Sequence, residues 1–269
     1  MSLETRTFDC LGSDCELFAV GAAPGALDEA VAWTRAQHAR LTRFDPASEL
    51  SRLNAAAGRW VALSAELHAL LSFALQAYEQ SFGLVHAGVL PALLAAGYTR
   101  TFAEGPTAAR LAPAAPLPPL GDLLRLRPGR ALLREGAAVD LGGLAKGWLA
   151  DRLCERLSEN ALANLGGDLY ARGGGADGEG WPVGFGGKTL LLRDLGAATS
   201  GVSKRHWGDG LHHLIDPRTG LVATLDLRLV SVLATTAAQA EVLAKTALLL
   251  GAAAAADHLR GRAQGWHFE

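Results

Sequence analysis

Cysteine and lysine are both scarce in this 269-residue chain. Its three cysteines, Cys10, Cys15 and Cys154, are odd in number and lack the short spacings of a metal site. We therefore expect reduced, partly buried thiols rather than a disulfide framework. Only four lysines stand beside 21 arginines. Because an ammonium and a guanidinium differ in size and shape, the remaining lysines, Lys146 and Lys245 among them, indicate positions with a steric demand.

The sequence also lacks a surplus of one charge and any long apolar run. Its formal net charge is -2, which gives no basic field for nucleic acid. The N-terminus carries Glu4 and Asp9 where a signal peptide needs a basic start and an apolar stretch. No other apolar run is long enough to span a bilayer without interrupting charges. We expect no nucleic-acid partner, no membrane anchor, a cytoplasmic location, and a monomer or homodimer.

The apolar content and its periodicity predict a mixed α and β protein. Apolar residues make up 49% of the chain, enough for one large domain or two packed lobes. Helical spacing predicts helices over 26–41, 64–82, 148–160 and 237–250. Alternation and turn residues predict strands over 8–20 with a possible bend at Gly12, a strand pair over 131–140, and strands at 161–164, 181–185, 189–193, 211–215 and 226–234. The Ala- and Pro-rich stretch near 103–130 predicts an irregular surface segment or interlobe connection.

The segment 140–151, DLGGLAKGWLAD, has the composition of a phosphate site. Its glycines let backbone N–H groups approach an anion, the start of a helix carries a partial positive charge, and Lys146 adds a full one. The alternative is a glycine-tight strand-to-helix turn whose lysine points to solvent.

Four further blocks extend this pattern along the chain. They are SELSRLN at 48–54, NLGGD at 164–168, ATSGVSKRHW at 198–207 and HHLIDPRTG at 212–220. In order and spacing, the five blocks resemble the ApbE family of Mg²⁺-dependent FAD:protein FMN transferases over residues 12–251. The resemblance implies an α+β, T-fold-like fold with mixed sheets and flanking helices. It further implies one domain over 1–269 with an FAD cleft between two lobes, whose boundary we expect near 103–130.

The resemblance also implies an activity. Such an enzyme transfers the FMN moiety of FAD to a Thr or Ser hydroxyl of an acceptor protein and releases AMP. Charge on the nonbridging phosphate oxygens must then be neutralised and the nucleophile aligned. Two alternatives remain open: an FAD-binding protein without activity, and an Mg²⁺-dependent FAD pyrophosphatase that yields FMN and AMP with water as acceptor.

Ten positions match the FAD contacts of the resembled family. They are Leu11, Phe44, Leu84, Val85, His86, Asp140, Lys146, Thr199, Ser200 and Leu214. Five of these depart from the usual pattern. Leu11 stands where relatives often have methionine, Phe44 where they often have tyrosine, and Leu84-Val85-His86 where they usually have Ala-Phe-Asp. His86 could stack on or hydrogen-bond the cofactor, or it could be a satisfied structural histidine.

His213 matches the functional histidine of the resembled family and is the predicted general base or nucleophile-positioning residue. On a strand, neighbouring side chains point to opposite faces, so only one of His212 and His213 can face the site.

The predicted Mg²⁺ site is the least regular part of the match. The resembled pattern uses an aspartate and, four residues on, a threonine of the last helix, together with a backbone carbonyl, here of Gly143. Glu241 and Lys245 stand at the two helix positions. Glu241 could still bind a metal, but an ammonium has no lone pair. Either Thr246 replaces the lost ligand, or Lys245 supplies part of the metal's charge and acts as a catalytic residue.

Overall fold

The computed structural model describes residues 2–56, 58–203 and 205–269, and the chain divides into two compact units. The first unit consists of Met1–His38, Leu144–Gly201 and Asp226–Glu269, and the second of Ala39–Gly143 and Val202–Leu225. The chain thus passes from one unit to the other several times. The stretch 103–130, where we expected a boundary, lies inside the second unit.

The described residues form a mixed α+β structure, as predicted. The helices are α1 (Ala26–Leu41), α2 (Glu49–Ala55), α3 (Ala65–Gln80), α4 (Leu90–Ala95), α5 (Leu120–Leu123), α6 (Ala145–Leu157), α7 (Ala237–Leu250) and α8 (Ala252–Leu259). The strands are β1 (Leu3–Cys10), β2 (Ser13–Val20), β3 (Val61–Ala62), β4 (Leu124–Arg127), β5 (Arg130–Leu133), β6 (Ala161–Leu165), β7 (Asp168–Arg172), β8 (Trp181–Phe185), β9 (Lys188–Leu192), β10 (Leu195–Gly201), β11 (His206–Trp207), β12 (Leu211–His212), β13 (Ile215–Asp216), β14 (Leu221–Val222), β15 (Leu229–Ala234) and β16 (Gly265–Phe268).

A seven-stranded antiparallel sheet forms the first unit, in the order β1-β2-β6-β7-β10-β15-β16. Helices α6 and α7 pack on one face, α6 against β6 and β7, and α7 against β10 and β15. The β8–β9 hairpin supplies Trp181, Val183 and Leu192 to an apolar cluster with Leu162 and Leu169 of the sheet. Both faces of the central strands are therefore buried, which explains why their apolar residues run nearly continuously.

The first predicted strand, 8–20, is in fact a hairpin. β1 ends at Cys10, β2 begins at Ser13, and Cys10 pairs with Ser13 across a two-residue loop. Leu11 and Gly12 in that loop have φ of 56° and 66°, the positive values that a type I′ turn requires. The sequence indicated a possible bend at Gly12 but not the break into two strands, because leucine rarely adopts this conformation.

The second unit consists of helices α2 to α5 and small sheets. The strand pair predicted over 131–140 lies earlier, as β4 and β5, because the turn falls at residues 128–129. Ser64 caps α3, since its Oγ accepts the Leu67 N–H at 3.3 Å. Residues 105–119 are mostly exposed and have no regular structure, as predicted, but the rest of the stretch expected to be irregular contains α5 and β4.

Two further findings concern the whole of the described chain. No helix among the described residues is long and apolar enough to cross a membrane. The three cysteines are free and buried, which confirms the prediction of reduced thiols. Burial raises the pKa of the Cys154 thiol to about 12, so this thiol is unreactive at neutral pH.

Candidate functional site

Lys146 lies at the start of α6 and is paired with Asp168. The helix was predicted to begin at Trp148 but begins at Ala145, so Lys146 lies in its first turn. Its Nζ forms an ion pair with Oδ2 of Asp168, the first residue of β7. Oδ1 of Asp168 accepts the Thr199 N–H at 3.3 Å. An ammonium and the first N–H groups of a helix therefore lie together, which is the arrangement that binds phosphates.

Glu241 of α7 is buried beside this pair. Its side chain is 3% exposed, and Oε2 accepts the Gly147 N–H at 3.0 Å. Burial and the nearby Asp168 raise the pKa of Glu241 to about 7, against the attraction of Lys146 and Lys245. We call Lys146, Asp168, Glu241 and Lys245 the charge cluster. It contains two carboxyl groups and two ammonium groups.

Gly147 follows Lys146 because α6 and α7 approach each other closely at this point. A Cβ on Gly147 would lie 2.5 Å from the Ala237 carbonyl oxygen, well inside van der Waals contact. The glycine of the Lys-Gly pair thus permits the hydrogen bond to Glu241.

Asp151, the second carboxylate of the 140–151 segment, caps α7. Its oxygens accept the N–H groups of Ala237 and Ala238 at 2.7 and 3.0 Å. These are orphan donors of the first helical turn. Burial nevertheless raises the pKa of Asp151 to about 6, although the two hydrogen bonds act in the opposite direction. Asp151 is therefore a structural carboxylate.

Thr199 and Ser200 lie on β10, and the strand directs their side chains to opposite faces of the sheet. The Thr199 hydroxyl hydrogen-bonds that of Ser231 at 2.8 Å, on the face that carries the β8–β9 hairpin. Ser200 is buried on the face that carries α6 and α7. Of the two predicted FAD contacts, only Ser200 directs its side chain to the face of Asp168, while Thr199 contacts Asp168 through its backbone.

In the second unit, Asp140 is held by an arginine that sequence reasoning did not single out. Arg43 Nε donates to Asp140 Oδ2 at 2.7 Å, and Oδ1 accepts the Gly142 N–H at 2.9 Å. The Arg43 guanidinium lies 4.2 Å from the ring centre of Phe44 and 4.6 Å from that of Tyr98, and its side chain is 5% exposed. The only available signal was its position directly before Phe44.

Phe44 begins a row of aromatic side chains. Its ring centre lies 5.7 Å from that of Tyr98, which lies 5.6 Å from that of Trp207. The ring centre of Phe102 lies 6.5 Å from that of Trp207, and the Trp207 Nε1–H donates to the Ala96 carbonyl at 2.9 Å. Contact with rings on both sides explains the burial of Arg43 and provides an aromatic wall beside Asp140.

His86 has the geometry of a structural histidine. Its Nε2 lies 3.0 Å from the Pro118 carbonyl, and Nδ1 accepts the Gly88 N–H at 3.0 Å. Burial lowers the pKa of His86, and its ring meets Tyr78 edge-on at 5.1 Å. Both nitrogens have partners within the chain, which favours a structural role for His86 over contact with the cofactor. Leu84 and Val85 are buried as well.

The adjacent histidines differ in burial, but the strand predicted over 211–215 is interrupted: β12 ends at His212, and His213 lies between β12 and β13. His212 is buried, its Nε2 lies 3.0 Å from the Ala223 carbonyl, and its Nδ1 accepts the Leu214 N–H at 3.3 Å. His213 is half-buried, with Nδ1 3.3 Å from the Arg205 carbonyl. His212 is thus a structural residue, and Leu214 is buried next to it.

Comparison with known proteins agrees with this arrangement of motifs. A profile of the ApbE family matches residues 11–267. This chain belongs to the ApbE family. The FAD:protein FMN transferase of Treponema pallidum is 32% identical over 268 residues, covering 84% of this chain and 71% of that protein. That of Klebsiella pneumoniae is 32% identical over 136 residues, covering 45% of this chain and 40% of that protein.

Solved ApbE structures share the fold. The apo flavinyl transferase ApbE of Pseudomonas stutzeri superposes with a TM-score of 0.85 at 21% identity, covering 99% of this chain and 90% of that one. The ApbE protein of Thermotoga maritima gives a TM-score of 0.82 at 20% identity, covering 99% and 94%. The predicted fold class is therefore confirmed.

The Mg²⁺ site predicted for this ApbE chain does not fit the residues present. Mg²⁺ requires an octahedral set of oxygen ligands. Glu241 already accepts the Gly147 N–H, and Lys245 has no lone pair to offer. Thr246 is fully buried, and its hydroxyl donates to the Val242 carbonyl at 2.7 Å within the helix. In the described part of the chain, no three His, Cys, Asp or Glu residues are grouped to hold a metal. Gly143, the predicted carbonyl ligand, is half-buried in the second unit.

Proposed function

We propose that this ApbE chain transfers the FMN moiety of FAD to a Thr or Ser hydroxyl of an acceptor protein and releases AMP. The acceptor oxygen forms a bond to the phosphorus on the FMN side. The bond between that phosphorus and the bridging oxygen breaks, and the oxygen leaves with AMP. The hydroxyl proton passes to a base. No atom is gained from water, which distinguishes this transfer from pyrophosphate hydrolysis.

The observation that carries the proposal is the position of Lys146 in the first turn of α6. A diphosphate that meets this turn finds the positive end of a helix and an ammonium. The Lys146–Asp168 ion pair holds that ammonium at the helix start. FAD carries such a diphosphate. A lysine with a purely structural role would not need glycines beside it to let a ligand approach the backbone.

The second unit, taken by itself, holds groups that suit a flavin ring and an acceptor hydroxyl. We propose that Asp140, oriented by Arg43, accepts hydrogen bonds from FAD, and that Phe44 provides an apolar contact for a ring. Leu11, Leu84, Val85, Ser200 and Leu214 remain proposed FAD contacts. Half-buried His213 is the proposed base, because a neutral imidazole within reach of an acceptor hydroxyl can orient it and take its proton.

The test follows two products at once. Purified chain is incubated with FAD and an acceptor domain of a known flavinylated protein, and AMP and the acceptor mass are measured in parallel. We expect AMP to form in equal amount with a mass gain of one FMN on the acceptor. AMP without a mass gain would indicate hydrolysis, and bound FAD with neither product would indicate a binding protein. Either result would contradict the proposal.

A further inference from the structure

We infer that in this chain the two ammonium groups of the charge cluster take the place of a divalent metal ion, so that FMN transfer needs no Mg²⁺. The inference rests on the proposed function for its reaction. Its central statement is that the chain binds no divalent cation at the charge cluster. That statement depends only on the residues of the cluster.

Three of the four carboxylate oxygens of the charge cluster already accept a donor. Asp168 accepts the Lys146 ammonium on Oδ2 and the Thr199 N–H on Oδ1. Glu241 accepts the Gly147 N–H on Oε2. A metal at this position would have to displace these donors, and the Gly147 N–H, which is buried, would lose its partner.

The balance of charge also opposes a metal. Two carboxylates and two ammonium groups sum to zero when all are ionised, so no negative charge remains to attract a dication. Lys245 lies four residues after Glu241 on α7, on the same helical face, and its charge acts on that carboxylate. A cation that approached Glu241 would meet the repulsion of Lys245.

The order of burial within the charge cluster favours an anionic ligand. In the Lys146–Asp168 pair the lysine side chain is 16% exposed and the aspartate 3%. Lys245 is half-buried, whereas Glu241 is buried. The carboxylates therefore lie innermost, and the ammonium groups are the accessible members. A ligand that reaches the cluster meets two cations, as the diphosphate of FAD requires.

Two ammonium groups can do much of the electrostatic work of one Mg²⁺ in this reaction. Each can donate to a nonbridging phosphate oxygen and neutralise the charge that develops as the acceptor oxygen attacks. They do not impose the octahedral geometry of a metal, so in-line alignment must come from the helix start and from the flavin contacts.

The test is a titration with Mn²⁺ followed by electron paramagnetic resonance, in which only the free ion gives the sharp signal. The wild-type chain is compared with the double variant Glu241→Asp, Lys245→Thr, which introduces the aspartate and threonine of the ApbE metal pattern. The expected result is an unchanged free signal with the wild type and loss of about one equivalent with the variant. Stoichiometric Mn²⁺ binding by the wild type overturns the inference, whether or not the variant folds.

A measurement of transfer rates distinguishes failure of this inference from failure of the proposed function. With FAD and acceptor, the wild type is expected to form product at the same rate, within twofold, in EDTA and in Mg²⁺. Lys245→Met is expected to lower the rate tenfold or more in both solutions. A wild-type rate that collapses in EDTA overturns the inference while supporting the transferase. Absence of transfer in every solution defeats the proposed function and leaves the Mn²⁺ titration to decide the cation question.

Discussion

The Gly147 N–H donates to the buried carboxyl group of Glu241 at 3.0 Å, which ties the first turn of α6 to the middle of α7. The donor is one of the N–H groups that a helix leaves without an internal partner. The acceptor is the residue where we predicted a metal ligand. The hydrogen bond therefore explains both why glycine follows Lys146 and why Glu241 tolerates burial.

Gly147→Ala is expected to be strongly destabilising. The new Cβ would lie 2.5 Å from the Ala237 carbonyl oxygen, so α6 and α7 must move apart and the bond to Glu241 lengthens. Overpacking of this kind costs about 1–3 kcal/mol. Urea unfolding followed by circular dichroism measures the loss. The matched control is Gly121→Ala at an exposed position of α5, where a Cβ meets nothing within 4 Å. Equal stability of the two variants would contradict the close approach.

Asp151 predicts a pH dependence of stability. Its pKa in the folded protein is raised to about 6, above the unfolded value near 3.8. The folded state therefore binds the proton more tightly, and this contribution to stability is complete below about pH 4 and lost as the pH rises through 6. Relative to Asp151→Asn, the wild type should lose up to about 3 kcal/mol of unfolding free energy between pH 4 and 7.5. A difference that stays constant or rises with pH would refute this assignment.

Arg43→Lys tests whether Arg43 positions Asp140. Lysine keeps the charge but cannot both stack between Phe44 and Tyr98 and direct Nε to the carboxylate. We expect FAD affinity to fall about tenfold, or about 1.4 kcal/mol, while turnover at saturating FAD stays within about twofold. Fluorescence titration and initial rates give the two quantities. Arg125→Lys on an exposed position of β4 is the control and should change neither. An unchanged FAD affinity in Arg43→Lys would remove Arg43 from the site.

Local patterns predicted much of the fold. Helices α1 and α7 have the predicted bounds because an unbroken helical periodicity ends at a clear stop, Gly251 in the case of α7. The sequence missed α8 and β16, which follow that stop. Both are short, and the stability of β16 depends on pairing with β15 rather than on its own four residues.

The candidate site was predictable where a motif carried it and not where distant segments meet. The 140–151 segment identified Lys146 and Asp140 directly. The Arg43–Asp140 pair joins residues 97 positions apart, so no local pattern could indicate it. The order of burial in the charge cluster was likewise hidden, because a Glu and a Lys four residues apart on a helix are more often a solvent-exposed pair.

His212 and His213 should respond oppositely to substitution. His212→Ala removes a buried ring with contacts on both nitrogens, so we expect a loss of about 2 kcal/mol or more in unfolding free energy. His213→Ala should leave stability within about 0.5 kcal/mol and FAD binding intact, while FMN transfer falls about 100-fold or more because the acceptor hydroxyl loses its base. His213→Gln, which can hydrogen-bond but cannot take a proton at neutral pH, separates orientation from proton transfer. Full transfer by His213→Ala would mean that the base is another residue.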